Sequence, residues 1–467
     1  MRSALLISTY EMGRQPFGLA SAAAWLRAAG WSVDTVDTAK EKLRLDRLAG
    51  PDLIAFHLPM HTATRLAGPL IEAARRVNPA VRLCAFGLYA PLNEDWLRSL
   101  GADAIFGGEF EEELAAWAND DQKKPQSAQR TQSKPFSAIS AISPVLSVRR
   151  PLPKIHFLVP DRRGLPALSK YATLQMPDGG RRTVGYTEAS RGCRHLCRHC
   201  PIVPIYEGQF RVVQPEIVLA DIAAQVAAGA GHITFGDPDF FNGPTHAMRI
   251  VTALHEAHPG VSYDVTIKVE HLLQHRELVP RLAATGCAFV TSAIESVDDE
   301  VLRWFDKGHT RADFIAAVAL CRAAGVTLTP TFVAFHPWLA LADYCDLLET
   351  IDALGLVDHL SPVQLGIRLL VTQGSRLLTL DEMYAHLGAF DPETLTYRWA
   401  HPDPRVDALQ RDVMALVGTR LTADRRELFA EVQALAAERA GLPPRRVDPR
   451  PARARATVPY LNEPWYC

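Results

Sequence analysis

The sequence predicts an α/β protein made of two successive strand–helix domains, a doubly wound parallel sheet followed by a partial (β/α)6 barrel. Three observations carry this reading. Five short apolar runs alternate with helix-like stretches before residue 118. Six more do so between residues 156 and 375. A polar stretch with few apolar residues separates the two blocks. The 467 residues, 48% of them hydrophobic, suffice for several cores. A formal net charge of −2 leaves no overall nucleic-acid footprint. No apolar run reaches the roughly 20 residues of a membrane span, and the first apolar run is too short for a signal peptide. The expectation is a cytoplasmic protein acting on a small molecule, with neither nucleic acid nor membrane as partner.

In the first block (1–118), strands are expected at residues 4–8, 32–36, 52–58, 81–86 and 104–106, with helices such as 17–29 and 63–77 between them. Ligands of doubly wound sheets bind outside the carboxyl ends of the strands. Those ends are residues 8–18, 58–64, 87–91 and 107–111, and Gly87, Gly107 and Gly108 permit close backbone approach there. Residues 119–155, rich in Gln, Ser, Lys, Arg and Pro, read as a linker.

In the second block (156–375), strand-like runs end at Thr187, Phe235, Ile267, Ala293, Ala334 and Ile367. A barrel of parallel strands carries its chemistry on the loops after those ends. The polar groups fall there: the cysteines after the first run, Gly236-Asp237-Pro238-Asp239 after the second, Lys268 and Glu270-His271 after the third, and Glu295-Ser296 after the fourth. Residues 376–442 read as helical, and 443–467 as a Pro/Arg-rich extended tail.

Three of the eight cysteines, Cys193, Cys197 and Cys200, lie within eight residues. Three thiolates are one short of a closed zinc site or a fully ligated cubane. His195 and His199 leave a Cys/His zinc site open, although no second Cys/His pair follows at zinc-ribbon spacing. Cys84, Cys287, Cys321 and Cys345 lie in apolar surroundings and read as small buried hydrophobes.

The Cys-x3-Cys-x2-Cys spacing of Cys193, Cys197 and Cys200, on a loop between strand and helix, resembles that of the radical S-adenosylmethionine (SAM) superfamily. The resemblance implies a radical SAM barrel and a 4Fe-4S cluster on these three cysteines, with one iron open to SAM. It places His199, where the family has an aromatic residue, against adenine. It sets Gly236 and Asp237 near the SAM amino group and Glu295 near the ribose. It also implies an electron donor such as flavodoxin or ferredoxin. The residues themselves leave plainer readings open: a capped turn for Asp237 and Asp239, a helix-start carboxylate for Glu295, and a rim ion pair for Lys268 and Glu270.

With the first block before it, the chain resembles the radical SAM subgroup with an N-terminal Rossmann-like, cobalamin-binding domain. Such domains often carry a cobalt-ligating His after the first strand. Here residues 8–18 contain none, and Met12 or Arg14 stands in that place. Cobalamin held without a protein ligand is what the resemblance implies. The tail, with Glu463-Pro464 and a terminal Cys467, resembles subgroup members whose tails bear cysteine or selenocysteine. From this comes the expectation that the tail covers the active site and presents Cys467 as a catalytic thiol; an idle Cys on a docked tail is the plainer account. Three functions stay open: a cobalamin-dependent methyltransferase, a radical SAM enzyme without functional cobalamin that transfers another SAM fragment such as aminocarboxypropyl or rearranges a metabolite, and a non-enzymatic Fe-S or zinc protein.

Overall fold

The computed structural model describes residues 1–120, 152, 154–420, 423–443 and 458–462. The expected linker lies largely outside them, and so does Cys467.

The first domain is a parallel sheet of β1 (Ser3–Ser8), β2 (Ser32–Asp37), β3 (Leu53–His57), β4 (Arg82–Phe86) and β5 (Ala104–Phe106), in the order β2-β1-β3-β4-β5. Alternate residues of each strand enter opposite layers. Leu5, Ile7, Ile54, Phe56, Leu83 and Ala85 pack with Ala67, Ile71 and Leu97 on one face. Ala4, Leu6, Leu53, Ala55, Cys84 and Phe86 pack with Leu19, Leu26 and Leu114 on the other. Both faces are covered, so the strands read as near-continuous apolar runs. The chain leaves β1 for one side and returns to β3 on the other, so their carboxyl ends form the switch point where such sheets bind ligands.

The second domain opens with β6 (Thr173–Gln175) and β7 (Arg181–Thr187), followed by a small hairpin of β8 (Ser190–Gly192) and β9 (Phe210–Val212) around the cysteine loop. Then come β10 (His232–Phe235), β11 (Ser262–Thr266), β12 (Cys287–Glu295) and β13 (Thr327–Phe332). Strands β7, β10, β11, β12 and β13 are parallel neighbours in that order, with helices between them, and form a curled partial barrel. Its core joins Val265, Ile267, Val290, Ile294 and Phe332 to Ile250, Phe314 and Tyr344.

Three features differ from the sequence reading. The sixth strand, expected to end at Ile367, shrinks to a single parallel bridge between Phe335 and Arg368, because residues Pro362–Leu365 form a 3-10 turn. The region 376–442 is not wholly helical: β14 (Leu387–Asp391) and β15 (Thr396–Trp399) form a hairpin before helices Pro404–Thr419 and Arg425–Ala440. Finally, tail residues 458–462 contribute β16 (Tyr460–Asn462), which pairs antiparallel with β6 and extends the barrel sheet; the Arg425 guanidinium lies 4.2 Å from the Tyr460 ring centre.

Candidate functional site

The cysteine loop is held from several sides. Gly192 adopts φ +74°, and a Cβ there would stand 2.4 Å from the Gln209 carbonyl oxygen, so only glycine fits where β8 turns into the loop. The Arg194 amide donates to Asn242 Oδ1 at 3.1 Å, the Cys200 amide to Cys197 O at 3.1 Å, and the Arg198 amide to Phe305 O at 2.9 Å. Cys193 and Cys197 are buried. Burial pushes the Cys193 thiol up to about 11 and Cys200 to about 12, and the neighbouring sulfurs add to the rise at Cys200. Such thiols are inert without a metal, whose coordination deprotonates them outright. Three grouped, unbridged cysteines, Cys193 and Cys197 buried and Cys200 half-buried, therefore suit a metal or cluster.

Two buried ammonium groups face this set. Lys268 Nζ lies 3.8 Å from Cys197 Sγ and 3.4 Å from Glu270 Oε2. Lys307 Nζ lies 3.4 Å from Glu295 Oε1. Burial works against the charge on Lys307, but Glu295, Cys197 and Cys200 outweigh it and raise its pKa. Cations beside thiolates favour a reduced, more negative cluster. Glu295 also meets His199 Nε2 at 3.1 Å. Burial alone would raise Glu295, yet Lys307 and His199 hold it at about 2. Its backbone sits at φ +71°, a strained conformation for a non-glycine residue at the end of β12.

The sequence-predicted SAM residues thus come together in part. His199 and Glu295 form one cluster with Lys307, and the His199 ring packs on Phe305 at 4.7 Å. Asp237 accepts from the Ala189 amide at 2.9 Å and from Ser190 Oγ at 2.5 Å, bracing β8. Burial lifts its pKa to about 7 despite those bonds. Gly236 is indispensable for another reason: a Cβ there would lie 1.8 Å from Tyr186 Oη.

Between the domains, a cavity of about 200 Å³ joins the switch point of the first sheet to the cysteine loop. Arg14, Gly87 and Gly108 line it with Glu11, Gly18, His57, Tyr186, Glu188 and Arg191. Gly87 has φ +108°, and a Cβ there would press on Leu58 O at 3.0 Å. Met12 is half-buried with left-handed backbone and is not among the lining residues; Gly107 packs against Pro91. Arg191, buried, links the domains through Glu111 at 2.6 Å and Glu188 at 2.8 Å.

His57, Glu11, Glu188 and Lys307 were missed in the sequence. His57 ends the apolar run of β3 and reads there as core. It lies 3.6 Å from Glu11, but burial lowers His57 to about 3 and raises Glu11 well above its usual range, so the pair is neutral. The glycines give a doubly wound domain a cradle toward a flat cofactor, while the His57 ring already occupies the space beside Gly18, where a Cβ would be 2.2 Å from Nε2.

Comparison with known proteins agrees with this geometry. Residues 187–351 match the family model described as the Radical SAM superfamily. Over 207 residues the chain is 24% identical to a tRNA-2-methylthio-N(6)-dimethylallyladenosine synthase of Alkalilimnicola ehrlichii, covering 41% of this chain and 44% of that protein. It is 26% identical over 133 residues to the bacteriochlorophyllide d C-12(1)-methyltransferase of Chlorobaculum tepidum, covering 28% of each. The chain thus spans less than half the length of these curated relatives. Among solved structures, the cobalamin-dependent S-adenosylmethionine radical enzyme OxsB with aqua-cobalamin and S-adenosylmethionine bound gives a TM-score of 0.66 at 13% identity, covering 94% of this chain and 71% of that one. The radical S-adenosylmethionine methyltransferase TsrM from Kitasatospora setae gives 0.60 at 18% identity, covering 76% and 72%. At these identities the likeness is one of fold, and in OxsB it extends across nearly all of this chain. Among the described residues no helix is long and apolar enough to cross a membrane. The cysteine loop and the strand ends around it lie inside the matched segment, so residues 187–351 carry a domain of the kind the radical SAM superfamily model describes.

Proposed function

We propose that the protein is a radical SAM enzyme that holds cobalamin between its two domains and methylates a small molecule. The observation that carries this is the cavity joining the switch point of the first sheet to the cysteine loop. A cofactor there would lie between a nucleotide-type binding crevice and the site of SAM cleavage. Cys193, Cys197 and Cys200 would hold a 4Fe-4S cluster, which would supply low-potential electron transfer to SAM, and the crevice would hold cobalamin, which would supply methyl-carrier chemistry.

The chain's own residues have definable parts in this scheme. Lys268 and Lys307 offset thiolate charge. Glu295, kept ionised by Lys307 and His199, offers an acceptor to ribose hydroxyls. Gly236 and Asp237 close the β10 end near the SAM amino group. Gly87 and Gly108 let the backbone approach the corrin, with Arg14 and Met12 at the strand that lacks the usual His. The fold likeness to OxsB and TsrM, whose structures contain cobalamin, supports the cofactor assignment. The curated tRNA-modifying relatives cover less than half of either chain, and the −2 net charge gives no electrostatic reason for an RNA substrate. A small reductase of the flavodoxin or ferredoxin type would supply the electron. A catalytic part for Cys467 stays a proposal, since that residue lies outside the described ones.

One observation favours a second reading. His57 packs into the crevice against Gly18, which narrows the space for a corrin. On that reading SAM is cleaved without cobalamin and another fragment is transferred. Anaerobic reconstitution with iron, sulfide and hydroxocobalamin, followed by gel filtration, separates the two. Corrinoid co-eluting near one per chain, with methylated product from methyl-labelled SAM, supports the first. SAM cleavage without corrinoid uptake overturns it and leaves the second.

A further inference from the structure

His195, Asp239 and His271 form a compact group beside the cysteine loop that the scheme above does not use. We propose that they bind a second metal, a divalent first-row cation such as Zn2+ or Fe2+, separate from the cysteine set.

The three residues come from separate segments: His195 from the middle of the cysteine loop, Asp239 from the turn after β10, and His271 from the short helix Val269–Gln274 that follows β11. One ligand atom from each lies within 4.8 Å of the other two. His195 Nε2 stands 3.3 Å from His271 Nε2 and 3.5 Å from Asp239 Oδ2. Ligands bonded at about 2.0–2.1 Å around one tetrahedral cation are separated by roughly 3.3 Å, so both spacings fit. Imidazole and carboxylate together suit zinc or ferrous iron, and two His with one carboxylate leave positions open.

The hydrogen bonding within the group is incomplete in a way that points to a ligand. Asp239 is fully buried. Its Oδ1 accepts from the Phe241 amide at 3.3 Å and the Lys268 amide at 3.4 Å. Its Oδ2 is ion-paired with His271 Nδ1 at 2.6 Å, but the two atoms lack hydrogen-bond geometry, and neither makes an aligned hydrogen bond among the described residues. Orphaned buried polar atoms are costly. A cation held by His195 Nε2, His271 Nε2 and Asp239 Oδ2 would satisfy Oδ2 and leave His271 Nδ1 as the carboxylate's neighbour. Glu270 Oε2, 3.5 Å from His195 Nδ1, is placed to fix the tautomer that leaves Nε2 free, as carboxylates behind metal-bound histidines do. A metal here would tie the residue midway between Cys193 and Cys197 to the barrel strands.

The test needs neither cluster nor turnover, so its outcome is separable from the proposed function. The full chain carrying Cys193→Ser, Cys197→Ser and Cys200→Ser, shown folded by circular dichroism, is titrated with Co2+. One equivalent is expected to bind with visible ligand-field bands and no thiolate charge-transfer band, and Zn2+ should displace it. Adding Asp239→Asn or His271→Gln should weaken Co2+ binding at least about tenfold. No binding by the folded triple variant, or binding indifferent to both substitutions, overturns the proposal. If the triple variant does not fold, metal analysis of the reconstituted wild type replaces it. Zinc or a fifth iron per chain, lost in His271→Gln while the cluster absorption persists, supports the site, and four irons with nothing further overturns it.

Discussion

At the barrel mouth, Glu295 lies between His199 and Lys307 and stays ionised, with a pKa of about 2. In the crevice between the domains, Glu11 lies beside His57 and burial raises it, while His57 falls to about 3. Both carboxylates are buried. The difference is the balance of neighbours: Lys307 and His199 outweigh burial at Glu295, whereas at Glu11 burial and the carboxylates of Glu188 and Asp37 outweigh Arg14 and Arg162, and burial keeps the adjacent His57 neutral. The barrel mouth is thus built to hold charge in place, which suits binding the charged groups of SAM. The crevice sets the neutral His57–Glu11 pair beside the ion-paired Arg191 and Glu188, which suits a large ligand with both apolar and polar groups. Arg191, ion-paired to Glu111 and Glu188, closes the boundary between the two.

The largest effect expected is at the cysteines. Replacing any one of Cys193, Cys197 or Cys200 with Ala should abolish the 4Fe-4S absorption and lower SAM cleavage beyond detection, since a two-ligand cube is not retained. Iron content and 5′-deoxyadenosine release measure it. A triple Ala variant that still binds four irons would remove the barrel mouth from its side of the comparison.

Next in size is Lys307→Met. It leaves the Glu295 carboxylate buried with His199 alone, and loss of one partner of a buried pair costs about 3–5 kcal/mol. Urea unfolding should show that loss. Lys307→Met with Glu295→Leu should recover most of it, because removing both charges removes the uncompensated one. If the double variant is no better than the single, the ionised state of Glu295 is not what Lys307 maintains.

The strand pattern of both domains was legible because buried parallel strands are apolar runs and the switch point follows from their order. The cysteines were legible because their spacing is local. Other features had no local signature. The sixth barrel strand failed because an apolar run through Ile367 was given weight over Pro362, which starts a 3-10 turn instead. The hairpin β14–β15 was passed over although Asp391-Pro392 is a turn signal at its tip. His57 looks like one more core residue of β3. Lys307 follows a six-residue helix, where a charged side chain usually faces water, and only the tertiary approach of Glu295 buries it. β6 and β16 are three residues each, too short for a periodicity to register.

The crevice side of the comparison makes a pH prediction. His57 is neutral in the folded protein down to about pH 3 but takes up a proton near pH 6.5 once unfolded. Between those values the unfolded state binds more protons, so stability falls as pH drops through that window. From pH 6.5 to pH 5 the expected loss is about 2 kcal/mol from this group. His57→Gln should flatten that part of the curve of thermal midpoint against pH. Glu11 and Asp237 act with the opposite sign, since their raised values favour the folded state at low pH and lose that advantage as pH rises through them. An unchanged acid limb in His57→Gln would mean that His57 is already charged in the fold, and the crevice would then resemble the barrel mouth.

The smallest effect concerns Gly18. A Cβ at this position would stand 2.2 Å from His57 Nε2 and 2.6 Å from Cε1, so the ring must move or the helix starting at Phe17 must shift. Overpacking of this kind costs about 1–3 kcal/mol. Gly18→Ala should therefore destabilise the chain modestly, and Gly18→Ala with His57→Ala should recover the loss, because the clash needs both groups. The pair also probes the crevice as a ligand site. If His57 is what narrows it, His57→Ala alone should strengthen corrinoid retention on gel filtration, while Gly18→Ala should weaken it. A corrinoid that binds the wild type and both single variants equally would not be seated against this wall. The neutral His57–Glu11 pair would then have to be explained by packing between the domains alone.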